Sequence, residues 1–199
     1  MKSLVDEFRE IRRVGTPWCC VISSDYRVTI DHLSKVRLNG EEEPAVVELN
    51  CADGPVTKQG DVNLGEQDSQ PSEVFKNALK GLPNNGMLFW VVPDDFSLPN
   101  HFWTNPYTVQ AVANLRDEFK ANGRTLIILS IDGKLPSLFA DDVPVLRDPL
   151  PTEAEIVLIA DSVIADANKK LADKHKKPIK VTDEVVKKAS SLCRGMNRF

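Results

Sequence analysis

Hydrophobic positions along this chain follow two alternating rhythms. Leu4, Val5, Phe8, Ile11 and Val14 recur at helical spacing, and Gly15 ends the stripe. Trp18 to Ser24 (WCCVISS) is then a near-continuous apolar run after Pro17, the pattern of a strand covered on both faces. Asp25 stands where an N-cap belongs, ahead of a helix over Tyr26 to Val36 with Val28, Leu33 and Val36 inward. Arg37 to Pro44 is a polar turn with three consecutive glutamates, and Ala45 to Asn50 is a second strand. Cys51 to Pro71 is rich in Gly, Asp, Gln and Ser and has no helical period, so it reads as a long exposed loop.

The second half repeats the alternation. Pro71 opens a helix that Gly81 stops, and Pro83 to Gly86 is a turn. Leu88 to Asp95 (LFWVVPDD) is a strand, followed by an aromatic, proline-rich loop from Phe96 to Tyr107. Thr108 to Gly123 reads as one amphipathic helix, with Val109, Val112, Leu115 and Phe119 on a shared face. Arg124 to Asp132 is another strand, and Val143 to Pro151 holds a last short strand and turn. Thr152, with Glu155 three residues on, forms a capping-box signature for a long helix, and Thr182 caps one more. Strands alternating with helices predict an α/β domain whose mostly parallel sheet is sandwiched by helices. The expected parallel core has five strands. The last two helices have no strand between them, which predicts an α/β core over 1–150 and a small helical subdomain over 151–199.

Composition narrows the function. The 199 residues are 42% hydrophobic and 27% charged, with net charge −4, so no overall basic field draws the chain to nucleic acid or an anionic membrane. No apolar run reaches the roughly 20 residues that span a bilayer. The N-terminal MKSLVDEFREIRR reads as an amphipathic helix and not a signal peptide, and a cytoplasmic location is expected. Cys19, Cys20, Cys51 and Cys193 form no C-x-x-C pair, so free thiols in a reducing compartment are the plain reading and no metal site is expected.

The candidate chemistry centres on Asp94 and Asp95, two carboxylates closing an apolar strand. An acidic pair of this kind orders Mg²⁺ when a G-x-x-x-x-G-K-[ST] loop holds the phosphates, and that motif is absent. After the first strand the chain reads SSDYRVT, Ser23 to Thr29, with no glycine to admit a phosphate, no lysine to reach one, and Asp25 to repel it. The stretch Ala52 to Gly60 has Gly54, Thr57 and Lys58, but Pro55 removes an N–H and no helix follows at once. Asp25, Asp53, Asp94, Asp95 and Asp132 all fall at strand ends, so a metal-dependent phosphohydrolase using Asp94 and Asp95 stands as an alternative. Phe96, Phe102, Trp103 and Tyr107 cluster in one loop, as a protein-contact surface, as a base-stacking platform that the lack of basic residues there disfavours, or as a plug on their own domain. His32, His101 and His175 are scattered, and the basic run Lys169 to Val181 reads as a solvated helix end.

From Gly86 to Ile156 the chain resembles an AAA ATPase. The resemblance rests on the strand with Asp94-Asp95, the helix ending in Gly123-Arg124, the strand LIILSID, and the turn PLPTEAEI, Pro149 to Ile156. More narrowly, the chain looks like the N-terminal, degenerate AAA-like module of the two-part AAA ATPases of cyanobacteria, chloroplast genomes, other bacteria and some phages. This resemblance implies a P-loop-NTPase-like core with a partial C-terminal helical lid. It implies degenerate nucleotide and Mg²⁺ positions at Asp94, Asp95 and Ser130, the last at the polar sensor position. Pro93, just before the acidic pair, departs from the pattern, and Arg147 matches no arginine-finger motif. The resemblance further implies a non-catalytic module acting in assembly, regulation or partner recognition. Its partners would be an attached or neighbouring AAA ATPase module and a ring of such subunits. This chain would need no cofactor; ATP and Mg²⁺ would serve the parent protein. RGMNRF, Arg194 to Phe199, falls inside the expected lid, so the chain reads as a fragment of that parent. A free-standing adaptor protein is the third reading.

Overall fold

A computed structural model describes residues 2–38, 40, 42–50, 53–64, 71–92, 106–150, 152–172, 177–182, 184–186 and 188. The elements run α1 (Leu4–Arg13), β1 (Trp18–Ile22), α2 (Tyr26–Ser34), β2 (Val46–Asn50), β3 (Gly54–Gln59), α3 (Pro71–Gly81), β4 (Met87–Val91), α4 (Pro106–Asn114), α5 (Arg116–Ala121), β5 (Thr125–Ser130), α6 (Ser137–Ala140), β6 (Val145–Arg147) and α7 (Glu153–Ala172). The chain divides into two compact units, Met1–Asp148 and Pro149–Phe199.

The first unit is built on one six-stranded mixed sheet in the order β3-β2-β4-β5-β1-β6. Five strands are parallel, with Cys20 opposite Ile128 and Trp90 also opposite Ile128 across β5. Strands β1, β2, β4 and β5 are buried almost throughout because both faces are covered. One face packs under α1 and α2, where Phe8, Ile30 and Leu33 meet Cys19, Val46, Phe89 and Ile127. The other packs under α3 to α6, where Leu79, Val112, Phe119 and Phe139 meet Cys20, Leu88, Trp90 and Ile128. Trp18 meets the edge of Phe139 at 5.2 Å between centroids, with the rings nearly perpendicular. Each fully buried large side chain, Phe8 or Leu33 for example, contributes about 1.5–3 kcal/mol by leaving water.

Local signals set the helix starts. Ser3 caps α1 by accepting the Asp6 N–H at 3.2 Å, and Asp25 caps α2 by accepting from Val28. In the second unit Thr152 and Glu155 make a reciprocal capping box at the start of α7: the Thr152 N–H donates to the Glu155 carboxylate at 2.8 Å, and the Glu155 N–H to the Thr152 hydroxyl at 3.3 Å.

Four details differ from the sequence reading. The segment after Cys51 is not all loop: Gly54 to Gln59 forms β3, antiparallel to β2. Its pattern hid it, because an edge strand with Pro55 and a half-exposed Val56 lacks apolar alternation. The parallel core of five therefore carries a sixth, antiparallel edge strand. The helix over Thr108 to Gly123 is two helices that break at Leu115, whose N–H bonds to the Val112 carbonyl three residues back. A single tightened turn leaves the apolar stripe in phase, so periodicity could not show the break. Val14 is exposed beyond the end of α1, and in α2 it is Ile30 that is buried while Val28 is half-buried.

Candidate functional site

A ligand site in a parallel sheet belongs at the C-terminal ends of the strands. The turn from β1 into α2 lies there, and a helix N-terminus with free N–H groups would attract an anion. Here that turn is filled by the protein's own groups. The Asp25 carboxylate takes the Val28 N–H at 3.3 Å. The Ser23 hydroxyl accepts the Asp25 N–H at 3.1 Å and lies 2.7 Å from the Thr29 hydroxyl. Thr29 Oγ1 in turn lies 2.7 Å from a carboxylate oxygen of Asp148 and 3.0 Å from the Asp25 carbonyl. Ser23 and Thr29 are buried, while Asp25 and Asp148 are half-buried. Two carboxylates, Asp25 and Asp148, therefore stand where a phosphate would have to enter. The sequence marked Asp25 as hostile to phosphate. It gave no sign of Asp148, which is more than a hundred residues away in the chain.

Ser130 ends β5 beside Ile22 and is buried. Its hydroxyl donates to Asp132 at 3.1 Å and accepts the Gly133 N–H at 3.1 Å, closing the turn that Gly133 makes with φ +72°. Lys134 sits 2.7 Å from Asp132, and this hydrogen bond is the main reason that the Asp132 carboxyl is held below its usual range. Asp25, Asp53 and Asp132 each follow a parallel strand, but no group of three or more His, Cys, Asp or Glu able to hold a metal occurs among the described residues. Asp94 and Asp95 lie outside the described residues, as do Phe96, His101, Phe102 and Trp103.

Of the aromatic candidates, Tyr107 is described, and it is 81% exposed in the first turn of α4. It borders a shallow groove of about 350 Å³ between α3 and α4, lined by Lys76, Lys80, Tyr107, Gln110, Ala111, Asn114 and Leu115. A larger polar cleft of about 650 Å³ lies between α2 and the β2–β3 hairpin. Glu48 forms part of it, nearly buried, with Lys58 at 2.9 Å across the hairpin and Asn50 at 3.2 Å. Lys58 of the Gly54 stretch is thus engaged in an ion pair. Cys19 and Cys20 are both buried free thiols; desolvation raises both, Cys20 to about 11. Among the described residues no helix is long and apolar enough to cross a membrane.

No family model matches this chain, and no curated protein does. Among solved structures the chain matches one described as "Structure of E. coli MS115-1 HORMA:CdnC:Trip13 complex", with TM-score 0.52 and 9% identity, over 94% of this chain and 72% of that one. At that identity the likeness is one of fold. It corrects the expected family: the matching structure is a HORMA:CdnC:Trip13 complex, not a two-part AAA ATPase. The reading of a degenerate AAA module that serves an attached ATPase falls with it, as do the ATP-binding and nucleotide-hydrolase labels that came with the resemblance. The motifs behind that resemblance, LFWVVPDD, LIILSID and PLPTEAEI, encode strand ends and helix starts. Any parallel α/β chain needs such signals, so they are weak markers of one family.

Proposed function

We propose that this chain is a protein-binding adaptor module and that it handles no nucleotide phosphate at the turn after its first strand. The observation that carries this reading is the closed knot of Ser23, Asp25, Thr29 and Asp148 at the start of α2. A phosphate placed there would meet two carboxylates and find the Val28 N–H, in the first turn of α2, already taken. The matched structure is described as a complex of three named components, and a working life within a protein complex is what the proposal carries over from it. A cytoplasmic, reducing setting is part of the same proposal, supported by the two buried free thiols.

The finer arrangement that we infer is P-loop-NTPase-like, without the loop. Its support is the parallel order β2-β4-β5-β1-β6, with the first strand inside the sheet and its following turn opening a helix at the C-terminal edge. The adaptor would then use a nucleotide-type scaffold as a rigid body for presenting loops and helix faces.

Calorimetry of the full chain against ATP and ADP with Mg²⁺, joined to cross-linking mass spectrometry in cells that make the protein, tests the reading. The expected result is no saturable heat up to millimolar nucleotide, together with one or a few protein partners cross-linked in fixed proportion. Saturable nucleotide binding, or a chain that cross-links to no protein, overturns it.

A further inference from the structure

We infer that the groove between α3 and α4 is the docking site for an acidic amphipathic helix of a partner protein. This inference deepens the adaptor reading and rests on it. α3 and α4 pack side by side and leave a furrow that no element among the described residues fills. Along one bank run Lys76 and Lys80, four residues apart on α3. Along the other run Tyr107, Ala111 and Leu115, spaced by four on and just after α4, with Gln110 and Asn114 beside them. Among the described residues the lining holds two cations and no carboxylate; Glu73, an acid in the first turn of α3, is not part of it. In a chain of net charge −4, a local patch of that sign selects partners.

The geometry specifies the occupant. Lysines at i and i+4 lie one turn apart, roughly 5–6 Å, which matches carboxylates one turn apart on a facing helix. The floor, made of Ala111, Leu115 and the aliphatic stems of the lysines, accepts small or medium apolar side chains at i, i+3 and i+4 of that helix. Tyr107 adds an amphipathic ring at the mouth, a residue type that dominates binding energy at protein interfaces. A nucleic acid would also meet lysines and a tyrosine. But two cations over an apolar floor give few phosphate contacts, and the net charge opposes the rest.

The test uses the full chain and a fluorescein-labelled, side-chain-stapled helical peptide with leucines at i, i+3 and i+4 and glutamates at the two flanking positions one turn apart. Fluorescence anisotropy is read against the same peptide with lysine for glutamate, and against a 20-nucleotide single strand. The acidic peptide is expected to bind at least tenfold more tightly than the basic one. The double variant Lys76→Glu with Lys80→Glu should invert that preference, and Tyr107→Ala should weaken both by about tenfold. Circular dichroism of these surface variants separates lost binding from lost folding. Equal binding of the two peptides, binding of neither, binding unmoved by the lysine reversal, or displacement of the acidic peptide by the oligonucleotide overturns the inference. Partner cross-links without peptide binding would sink this groove alone. Saturable nucleotide binding would sink the adaptor reading, whatever the peptide does.

Discussion

Thr29 Oγ1, in the first turn of α2, lies 2.7 Å from the carboxylate of Asp148, the residue that follows β6. That contact, with the Ser23 hydroxyl 2.7 Å from Thr29, ties the ends of two neighbouring parallel strands together at the edge where this fold class places its ligands. The same contact that ties the edge together places a carboxylate on it.

Replacing Thr29 by Val keeps the shape and removes the hydroxyl. Asp148 then loses a short donor, and Ser23 loses its buried partner. The expected cost is about 1–3 kcal/mol, read as a lower midpoint in urea with an unchanged slope. Thr29→Ser should recover most of it. A Thr29→Val protein as stable as the parent would mean that the hydroxyl pair contributes nothing.

Arg12 is a buried cation that acts as a staple. It donates from Nη1 to the Val36 carbonyl at 2.8 Å and from Nη2 to the Asn85 carbonyl at 3.2 Å, joining α1 to the segment after α2 and to the turn before β4. Asn85 sits at φ +60°, a conformation that asparagine tolerates and most residues do not. Arg12→Met should cost about 1–3 kcal/mol for each carbonyl left bare. Arg12→Lys should recover only part, since an ammonium cannot reproduce the planar fork. Equal midpoints for the Lys variant and the parent would argue against the two-carbonyl staple.

Gly81 gives a prediction in which propensity and packing disagree in sign. By helix propensity, Gly81→Ala should stabilise α3 by about 1 kcal/mol. In the fold, the space that a methyl group would take is held by the backbone carbonyl of Asn63. The segment after β3 must move to admit it, so the expected effect is a loss of about 1–3 kcal/mol. A thermal midpoint that rises in Gly81→Ala would show that the segment yields freely.

The buried thiols predict an alkaline weakness. Desolvation, with a smaller push from Asp132, raises Cys20 from 9.0 to about 11 in the folded state. Cys19, more deeply buried, is raised as well. Above the unfolded value the unfolded chain ionises and the folded one does not. Stability is therefore complete below pH 9 and falls as pH rises towards 11, by up to about 1.4 kcal/mol per pH unit for one group. Lysine and tyrosine titrate nearby, so the readout is a difference: Cys20→Ala should show a shallower fall in thermal midpoint between pH 9 and 11 than the parent. Parallel curves would refute the assignment.

Much of the fold was legible in the sequence because it is local. Apolar runs marked β1, β2, β4 and β5; Asp25 and Thr152 marked helix starts; and the missing glycines and lysine after β1 already argued against a phosphate loop. Each of these depends on residues within a turn or two of one another. What the tertiary structure decided depends on partners far apart in sequence. β3 exists because β2 offers it a ladder, not because GPVTKQ favours a strand. Asp148 reaches Thr29 only after β6 has paired with β1. The lysines of α3 meet the tyrosine of α4 across a groove that neither helix encodes alone. Short motifs such as LFWVVPDD and PLPTEAEI misled on family, because the backbone needs of a parallel α/β chain write similar strings in unrelated proteins. The sequence by itself determined most of the elements and lacks the G-x-x-x-x-G-K-[ST] motif, because these are local; packing at long range decided which edges closed and where a groove lies between helices, because these need partners far apart in the chain.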